Sequence, residues 1–454
     1  MERFFYLQDL MSSSSSAPAP AGSSAAQPPN GGTPPGGLSK MFSSLANAQF
    51  RLLWISMLFS FTAIQMMITA QGFLTFDLTG SATSLGLVSL GWGIPQLLFT
   101  LIGGVAADRL HKRWLIISSQ SVMAVTSVVT AVLIQTGVIE VWQIFVTALI
   151  TGTVFAFNVP ARQAWIPELV GQKQLMNAVA LNSAAFTSTG IIGPGLAGAL
   201  IAVPFIGLTG VYYLMAACYV VVVLLLLRIP GGEPAQNRER PSPLRDLVDG
   251  LRYVRRHSLL PFLLLMGFVP IVLGMPYRTF FPVFASDVYD VGPVGLGAMG
   301  VVMSVGALAG SLAVASLSNT ARRSLIQLVG GLGFGVSLIF FAAAPVLPLG
   351  LLALLFVGLA ANGYWALNNT MVLGETDQNY YGRVMSVYML SWSVMPFVAL
   401  PQSALADAFG VQPMVAGVGA LLIVMLLAIV ILLPGHRRLR EREANAMQEA
   451  PVVP

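Results

Sequence analysis

Charge is scarce in this chain of 454 residues. Asp, Glu, Lys and Arg make up only 9 % of it, whereas they make up about 25 % of soluble proteins. Hydrophobic residues make up 56 %. A soluble core of this size needs a charged surface around it, and this sequence has too few charged residues to form one. The composition therefore excludes a soluble globular protein and indicates a chain surrounded mostly by lipid.

Cysteine and histidine are almost absent. The single cysteine, Cys218, cannot form a disulfide within the chain, and the three histidines lie far apart beside basic residues. We therefore expect no metal site and no cofactor. The net charge of +5 does not indicate a nucleic-acid partner, because the basic residues are scattered between apolar runs.

Long charge-free runs define the predicted membrane spans. A helix needs about 20 apolar residues to cross the hydrocarbon core of a bilayer. Two of the runs are long enough for two helices each, and turn residues such as Pro204 and Pro345 divide them. The twelve predicted spans are Leu52–Phe76, Ser84–Ala107, Trp114–Gln135, Val141–Ala161, two within Gln174–Leu227, Leu259–Ala285, Gly295–Leu317, two within Ser324–Gly374, Val384–Ala406 and Val411–Leu433.

The charges between the spans predict the orientation. If the N-terminus is cytoplasmic, all of the 23 Lys and Arg residues except Arg278 fall in cytoplasmic segments. The outer connections carry acids instead: Asp77, Glu140, Asp287, Asp290 and Asp407. The sorting predicts an all-α integral membrane protein whose two termini are both cytoplasmic.

The spans fall into two sets of six. The predicted parts are a disordered Ser/Pro/Gly-rich tail (1–47), an N-terminal six-helix bundle (48–229), a central cytoplasmic loop (230–258), a C-terminal six-helix bundle (259–434) and a C-terminal tail (435–454). Within the loop, SPLRDLVDGLRYVRRH predicts an amphipathic helix on the inner leaflet, with a basic linker as the alternative. Met41 is an alternative start of the chain.

The stretch GLGAMG at 295–300 matches the dinucleotide-binding pattern. That pattern needs a preceding strand, whereas this stretch opens an apolar span. We therefore interpret its glycines as sites where two helices approach closely.

A cluster of charges between spans two and three carries a family resemblance. Gly104, Asp108, Arg109, Lys112 and Arg113 follow the loop signature G-x-x-x-D-R-x-G-R-R, with His111 in place of a glycine. The chain thus resembles the major facilitator superfamily of transporters. Stretches such as VPARQAWIPELV and GRVMSVYML are similar to a branch that includes the enterobactin exporter and bacterial drug-efflux proteins. In span five, an element similar to that of antiporters contains Gly190, Gly193, Pro194 and Gly198.

The resemblance implies a fold of two pseudo-symmetric six-helix bundles in the cytoplasmic membrane of a bacterium, and a monomer. It also implies a conformational switch at the charged loop, which we extend to Arg162 and Arg383. The hypothesis is that Asp108 holds the two halves together in the outward-open state, through Arg162 or through the N-terminus of span eleven near Gly382–Met385. The alternative is a loop that only fixes topology.

The same resemblance places the substrate cavity among spans one, four, seven and ten. The polar and aromatic candidates there are Gln65, Gln71, Asn158, Tyr277, Arg278, Asn362, Trp365 and Asn368. Arg278 is the only basic residue predicted within a span, so we expect it either to attract an anionic substrate group or to pair with Asp287 or Asp77.

These features predict a secondary transporter that exports a small amphipathic organic molecule. Protons are the candidate coupling ion, with Asp77, Asp108 or Asp407 as carriers, although uncoupled passage or uptake remains open. A membrane-embedded enzyme is not expected, because no catalytic constellation is visible. A receptor or scaffold of the same shape is the alternative from another class. The expected partners are a small-molecule substrate and membrane lipid.

Overall fold

A computed structural model describes residues 42–230, 243–316, 322–433, 435 and 437–441, and nearly all of them are helical. Among these residues, 11 helices are long and apolar enough to cross a membrane. In chain order the helices are α1 (Ala48–Thr79), α2 (Ala82–Arg109), α3 (Lys112–Gln135), α4 (Val141–Ile201), α5 (Gly207–Leu227), α6 (Pro243–Arg256), α7 (Leu260–Val288), α8 (Gly292–Ser316), α9 (Arg323–Ala343), α10 (Leu347–Gly374), α11 (Tyr381–Phe409) and α12 (Val411–Leu432). Only α6 is not a candidate span.

The 61-residue α4 is broken near its middle. At Gly171 the backbone φ is 66°, in the left-handed region that favours glycine. The parts before and after the break are called α4a (141–170) and α4b (172–201). α4a runs antiparallel to α1, because Gln71 bonds to Ile144 near one end and Arg162 lies over Phe61 further along.

α4b runs in the same direction as α1. The Trp54 indole donates to the carbonyl of Leu181, and further along both helices Gln65 lies against Gly193. The two parts of α4 therefore form a hairpin, and each is long enough to span the hydrocarbon core. The number of crossings, predicted as twelve, stays a prediction.

The helices pack into two groups with the same internal pattern. In the N-terminal group (α1–α5), α2 packs on α4a and α3 on α5; in the C-terminal group (α7–α12), α8 packs on α10 and α9 on α12. Glycines make the equivalent crossings close: Gly152 lies against the backbone of Trp92, and Gly358 against that of Met303. This repetition is the architecture that the sequence predicts.

Because successive helices are antiparallel, their connections lie alternately at two ends of the molecule. The end with the 110–111 turn, the break at Gly171, α6 and the 375–380 link is called the basic end. The end with the connections 80–81, 136–140, 202–206, 289–291, 344–346 and residue 410 is called the acidic end.

Most predicted boundaries lie close to the observed ones, but the end of the fourth span is wrong. The sequence places Arg162 in a connection, whereas α4a continues to residue 170 and only 4 % of the Arg162 surface is exposed. The assumed length of about 20 residues per span places the end of this helix too early. The buried side chains of Trp165 and Ile166 continue the packed face beyond Arg162.

The predicted tails and loop are described only in part. Residues 1–41 and 231–242, and most of 435–454, lie outside the described residues. At the end of the predicted disordered tail, Ser43–Ala46 form a short 3-10 helix and Asn47 caps α1 by accepting from the backbone amides of Gln49 and Phe50. In the central loop, the predicted helix is present as α6.

Candidate functional site

The charged turn between α2 and α3 is fixed to the N-terminal group. The Lys112 ammonium is 7 % exposed and pairs at 2.8 Å with Glu168 of α4a. Arg113 donates to the carbonyls of Leu226 and Leu227, at the C-terminal end of α5. Asp108 is half-buried. The sequence could indicate the charges of this turn but not their partners.

The glycine that requires its small size in this turn is Gly103. A Cβ atom on Gly103 would collide with the carbonyl of Ala156, whereas one on Gly104 would have nothing within 4 Å. Gly103 thus allows α2 and α4a to approach closely. The predicted role of Gly104 therefore rests on the family signature, because packing in this structure does not require a glycine at this position.

Arg162 does not bond to Asp108 in this structure. Its Nε donates to the Oδ1 of Asn158 at 2.8 Å. Its two terminal nitrogens have no hydrogen-bond partner among the described residues. Arg162, one of the two partners expected for Asp108, is therefore not hydrogen-bonded to it in this conformation.

The amphipathic helix α6 is docked on the start of α11. The Arg383 guanidinium donates to the Asp246 carboxylate at 2.8 Å, and Gly250 packs against the Arg383 backbone. Tyr253 stacks on Tyr380 with 4.1 Å between ring centroids. Four arginines of α6 are exposed in this arrangement: Arg245, Arg252, Arg255 and Arg256.

Tyr253 also binds the link between α10 and α11. Its hydroxyl lies 3.0 Å from the Asp377 carboxylate and accepts from the Asp377 backbone amide. The hydroxyl donates to this carboxylate, and partial desolvation raises the pKa of the Tyr253 phenol above its ordinary value. α6 also contacts α2 and therefore touches both groups at the basic end.

Two seams join the groups toward the acidic end. In the first, α2 packs on α11: Gly93 lies against Pro396, and Gly86 lies against Ser403. At the end of this seam, the Asp407 carboxylate accepts hydrogen bonds from the backbone amides of Ala82 (2.7 Å) and Thr83 (2.8 Å) and from the Ser81 hydroxyl (2.7 Å). A carboxylate is the favoured partner for a helix N-terminus.

In the second seam, α4b packs on α8 through the predicted antiporter-like element. The Ser304 hydroxyl donates to the Gly190 carbonyl at 2.7 Å. Gly297 faces Gly198, and Gly300 faces Pro194, closely enough that a Cβ atom would collide. Gly193 packs against Gln65 of α1. The GLGAMG glycines are thus packing residues, as the sequence indicates.

Two residues of the predicted substrate cavity belong to the interior of the N-terminal group. The Gln71 amide donates to the Ile144 carbonyl at 3.3 Å and lines a small cavity with hydroxyl-bearing side chains. The hydroxyls lining this cavity belong to Thr126, Ser127, Thr130, Thr147, Thr151 and Tyr212. Asn158 is bonded to Arg162.

Two α10 residues predicted for the cavity instead form hydrogen bonds that join α10 to neighbouring helices. Asn362 donates to the Ala307 carbonyl and the Ser311 hydroxyl of α8. Asn368 is fully buried, accepts from the Gln327 amide at 2.5 Å and donates to the Tyr388 hydroxyl at 3.1 Å. Sequence reasoning missed the partners Gln327 and Tyr388, because their spacing in the chain gives no sign of this contact.

The remaining predicted cavity residues lie in aromatic surroundings or on the surface. Trp365 meets Trp392 edge to face, and its indole nitrogen has no partner among the described residues. Tyr277 is buried between Phe281 and Phe334. Arg278 is exposed and forms no ion pair with a described residue, so neither expected pair, with Asp287 or with Asp77, is seen.

Comparison with known proteins agrees with this geometry. The sequence profile of the transmembrane secretion effector family matches residues 39–453. The multidrug efflux pump Tap of Mycolicibacterium fortuitum is 28 % identical over 354 residues, which cover 76 % of this chain and 86 % of Tap. The enterobactin exporter EntS of Shigella boydii serotype 18 is 26 % identical over 364 residues, which cover 79 % of this chain and 80 % of EntS.

A solved structure shows the same fold. The nucleoside transporter NupG superposes with a TM-score of 0.68 over 84 % of this chain and 98 % of NupG, although only 15 % of residues are identical. This likeness concerns the fold alone.

Proposed function

Because the chain belongs to the transmembrane secretion effector family of the major facilitator superfamily, we propose that it exports a small amphipathic organic molecule by alternating access. The molecule is of drug or siderophore type, and the membrane is the cytoplasmic membrane of a bacterium. The efflux proteins Tap and EntS support this direction and this class of substrate.

The observation that carries the proposal is the pair of seams between the groups. α2–α11 and α4b–α8 are equivalent contacts under the exchange of the two groups, and their hydrogen bonds lie toward the acidic end. In the proposal the acidic end faces outward, so this conformation is closed to the outside. Export requires these seams to part while the basic end closes.

The turn between α2 and α3 closes the basic end in this proposal. Asp108 then binds the first turn of α11 near Gly382, and the contact need supply only about 1–2 kcal/mol to shift the population several-fold. The ties from Lys112 and Arg113 support this role, because they hold the turn rigidly on the N-terminal group.

Proton coupling is the finer part of the proposal. Asp407 is an unsuitable carrier, because three donors hold its carboxylate and favour its ionised form. Asp77, exposed at the acidic end, and Asp108, at the basic end, remain the carriers to be tested.

The experiment is an export screen in a bacterial host that lacks its own drug pumps. A panel of amphipathic compounds is followed by flux measurements in proteoliposomes with and without a proton gradient. Uphill efflux driven by the gradient is the expected result. Downhill flux unaffected by the gradient would remove the coupling, and no flux of any compound would favour a receptor.

A further inference from the structure

Arg162 is a buried cation that has no counter-charge in the part of the chain that the structure describes. It is 4 % exposed, and neither an Asp nor a Glu among the described residues forms an ion pair with it. Its guanidinium lies over the Phe61 ring, 5.9 Å from the centroid, which offers only partial compensation. An unpaired charge inside a membrane-spanning bundle is costly, and such charges mark functional sites.

The polar atoms around Arg162 are unfilled donors. Both terminal nitrogens of Arg162, the amide nitrogen of Asn158 and the hydroxyl of Tyr219 have no hydrogen-bond partner among the described residues. Asn158 is 7 % exposed and Tyr219 is fully buried. Tyr219 of α5 lies near enough to interact electrostatically with the guanidinium. Asn158 already uses its oxygen to accept from Arg162, so it presents N–H groups to anything else.

We propose that Arg162, Asn158 and Tyr219 bind an anion: a free one of chloride size, or the carboxylate of an acidic solute. An anion accepts from all three side chains at once and neutralises the guanidinium, whereas water fills the donors and leaves the charge uncompensated. The ligand must be a hydrogen-bond acceptor, because every unfilled group except the Tyr219 phenol can only donate.

The site has a route to the exposed surface of the bundle. Phe61 covers the guanidinium and meets Phe186 of α4b edge to face, with 5.4 Å between ring centroids. Phe186 is 54 % exposed. We therefore expect a rotation of these two rings to be enough to admit an anion to the site.

Binding of radiolabelled chloride to the purified full-length protein tests the site, at constant ionic strength with gluconate as the replacing anion. We expect saturable binding that acetate displaces. Tyr219→Phe removes one donor and weakens binding by about three- to tenfold. Arg252→Gln, on the exposed face of α6, is the matched control and binds chloride as the wild type does.

Asn158→Asp is the sharpest variant, because it puts a carboxylate beside the guanidinium and keeps the existing acceptor. We expect it to fold, to be as stable in gluconate as the wild type is in saturating chloride, and to bind chloride at least about tenfold more weakly. Arg162→Gln also abolishes binding, but a failure of that variant to fold leaves Asn158→Asp decisive.

Three results overturn the proposal. They are an absence of saturable chloride or acetate binding by the wild type, wild-type chloride binding by Asn158→Asp, and chloride binding that occurs only after Asp108→Asn. The last result means that Asp108 itself neutralises Arg162.

A transport measurement distinguishes a substrate carboxylate from a free anion at this site. This part of the test rests on the proposed function. An exported compound with a carboxylate is compared with its methyl ester in Asn158→Asp. Loss of export of the acid alone, by about tenfold, assigns the site to substrate, and equal export of both assigns it to a free anion. If no compound is exported while chloride binds, the proposed function fails and the anion site stands.

Discussion

Asp407 of α11 binds the first turn of α2 through Ala82, whose backbone amide lies 2.7 Å from the carboxylate. The two residues are 325 positions apart in the chain and belong to different groups of helices. A single side chain therefore ties the C-terminal group to the N-terminal group at the acidic end.

Replacing Asp407 by Asn should weaken closure of the acidic end. The variant loses the charge and one acceptor, so we expect the closed-to-open ratio to fall on the order of tenfold, equivalent to about 1.4 kcal/mol. Spin labels at Val138→Cys and Val346→Cys, in a Cys218→Ser background, report the separation of the two groups. Asp290→Asn, in an exposed connection at the same end, is the control and should resemble the wild type. An unchanged distance distribution in Asp407→Asn means that Asp407 does not hold this seam.

The neighbouring glycines Gly103 and Gly104, near the end of α2, should differ in their tolerance of alanine. Gly103→Ala places a methyl group against the Ala156 carbonyl, so we expect a loss of roughly 1–3 kcal/mol and a lower melting temperature. Gly104→Ala has open space and should melt like the wild type. Thermal unfolding in detergent measures both. Equal melting temperatures would show that α2 and α4a do not approach as closely as described.

The docking of α6 should depend on Tyr253 more than on the ion pair. Arg383 and Asp246 are 30 % and 34 % exposed, so solvent screens their ion pair and its contribution to docking is small. Tyr253→Ala removes the stacking on Tyr380 and the bond to Asp377, and it should increase proteolysis of the central loop several-fold. Asp246→Asn should increase it little. The opposite ranking would show that charge holds α6 in place.

The adjacent asparagines Asn368 and Asn369 of α10 should differ in how much they contribute to thermal stability. Asn368→Leu leaves Gln327 and Tyr388 without their partner, so we expect a loss of roughly 2–4 kcal/mol in thermal stability. The Asn369 side-chain oxygen has no partner among the described residues, and Asn369→Leu should unfold close to the wild-type temperature. If Asn369→Leu is the less stable of the two, the bond network does not stabilise the C-terminal group.

The sequence predicts the helical architecture well because apolar runs and turn residues are local signals. The break between α9 and α10 follows from Pro345, and the break within the Gln174–Leu227 run from Pro204. Arg162 was misplaced because one charge after an apolar run looks like the end of a span, and the buried face beyond it is visible only in the packed bundle.

The site is less predictable, because its contacts join residues far apart in sequence. The sequence indicates a close helix approach at the glycines of GLGAMG, but not that Gly297 faces Gly198 of the antiporter-like element. Asn362 and Asn368 have the chemistry of cavity residues, and only their bonds to α8, α9 and α11 show that they hold helices together.

The central claim, that the chain exports amphipathic molecules, is tested most directly by measuring their accumulation in a host without drug pumps. The account predicts that the wild type lowers the steady-state level of at least one compound. It also predicts that Gly198→Leu, which blocks closure of the seam against Gly297, does not. Equal accumulation of every compound with and without the folded, membrane-inserted wild type would contradict it.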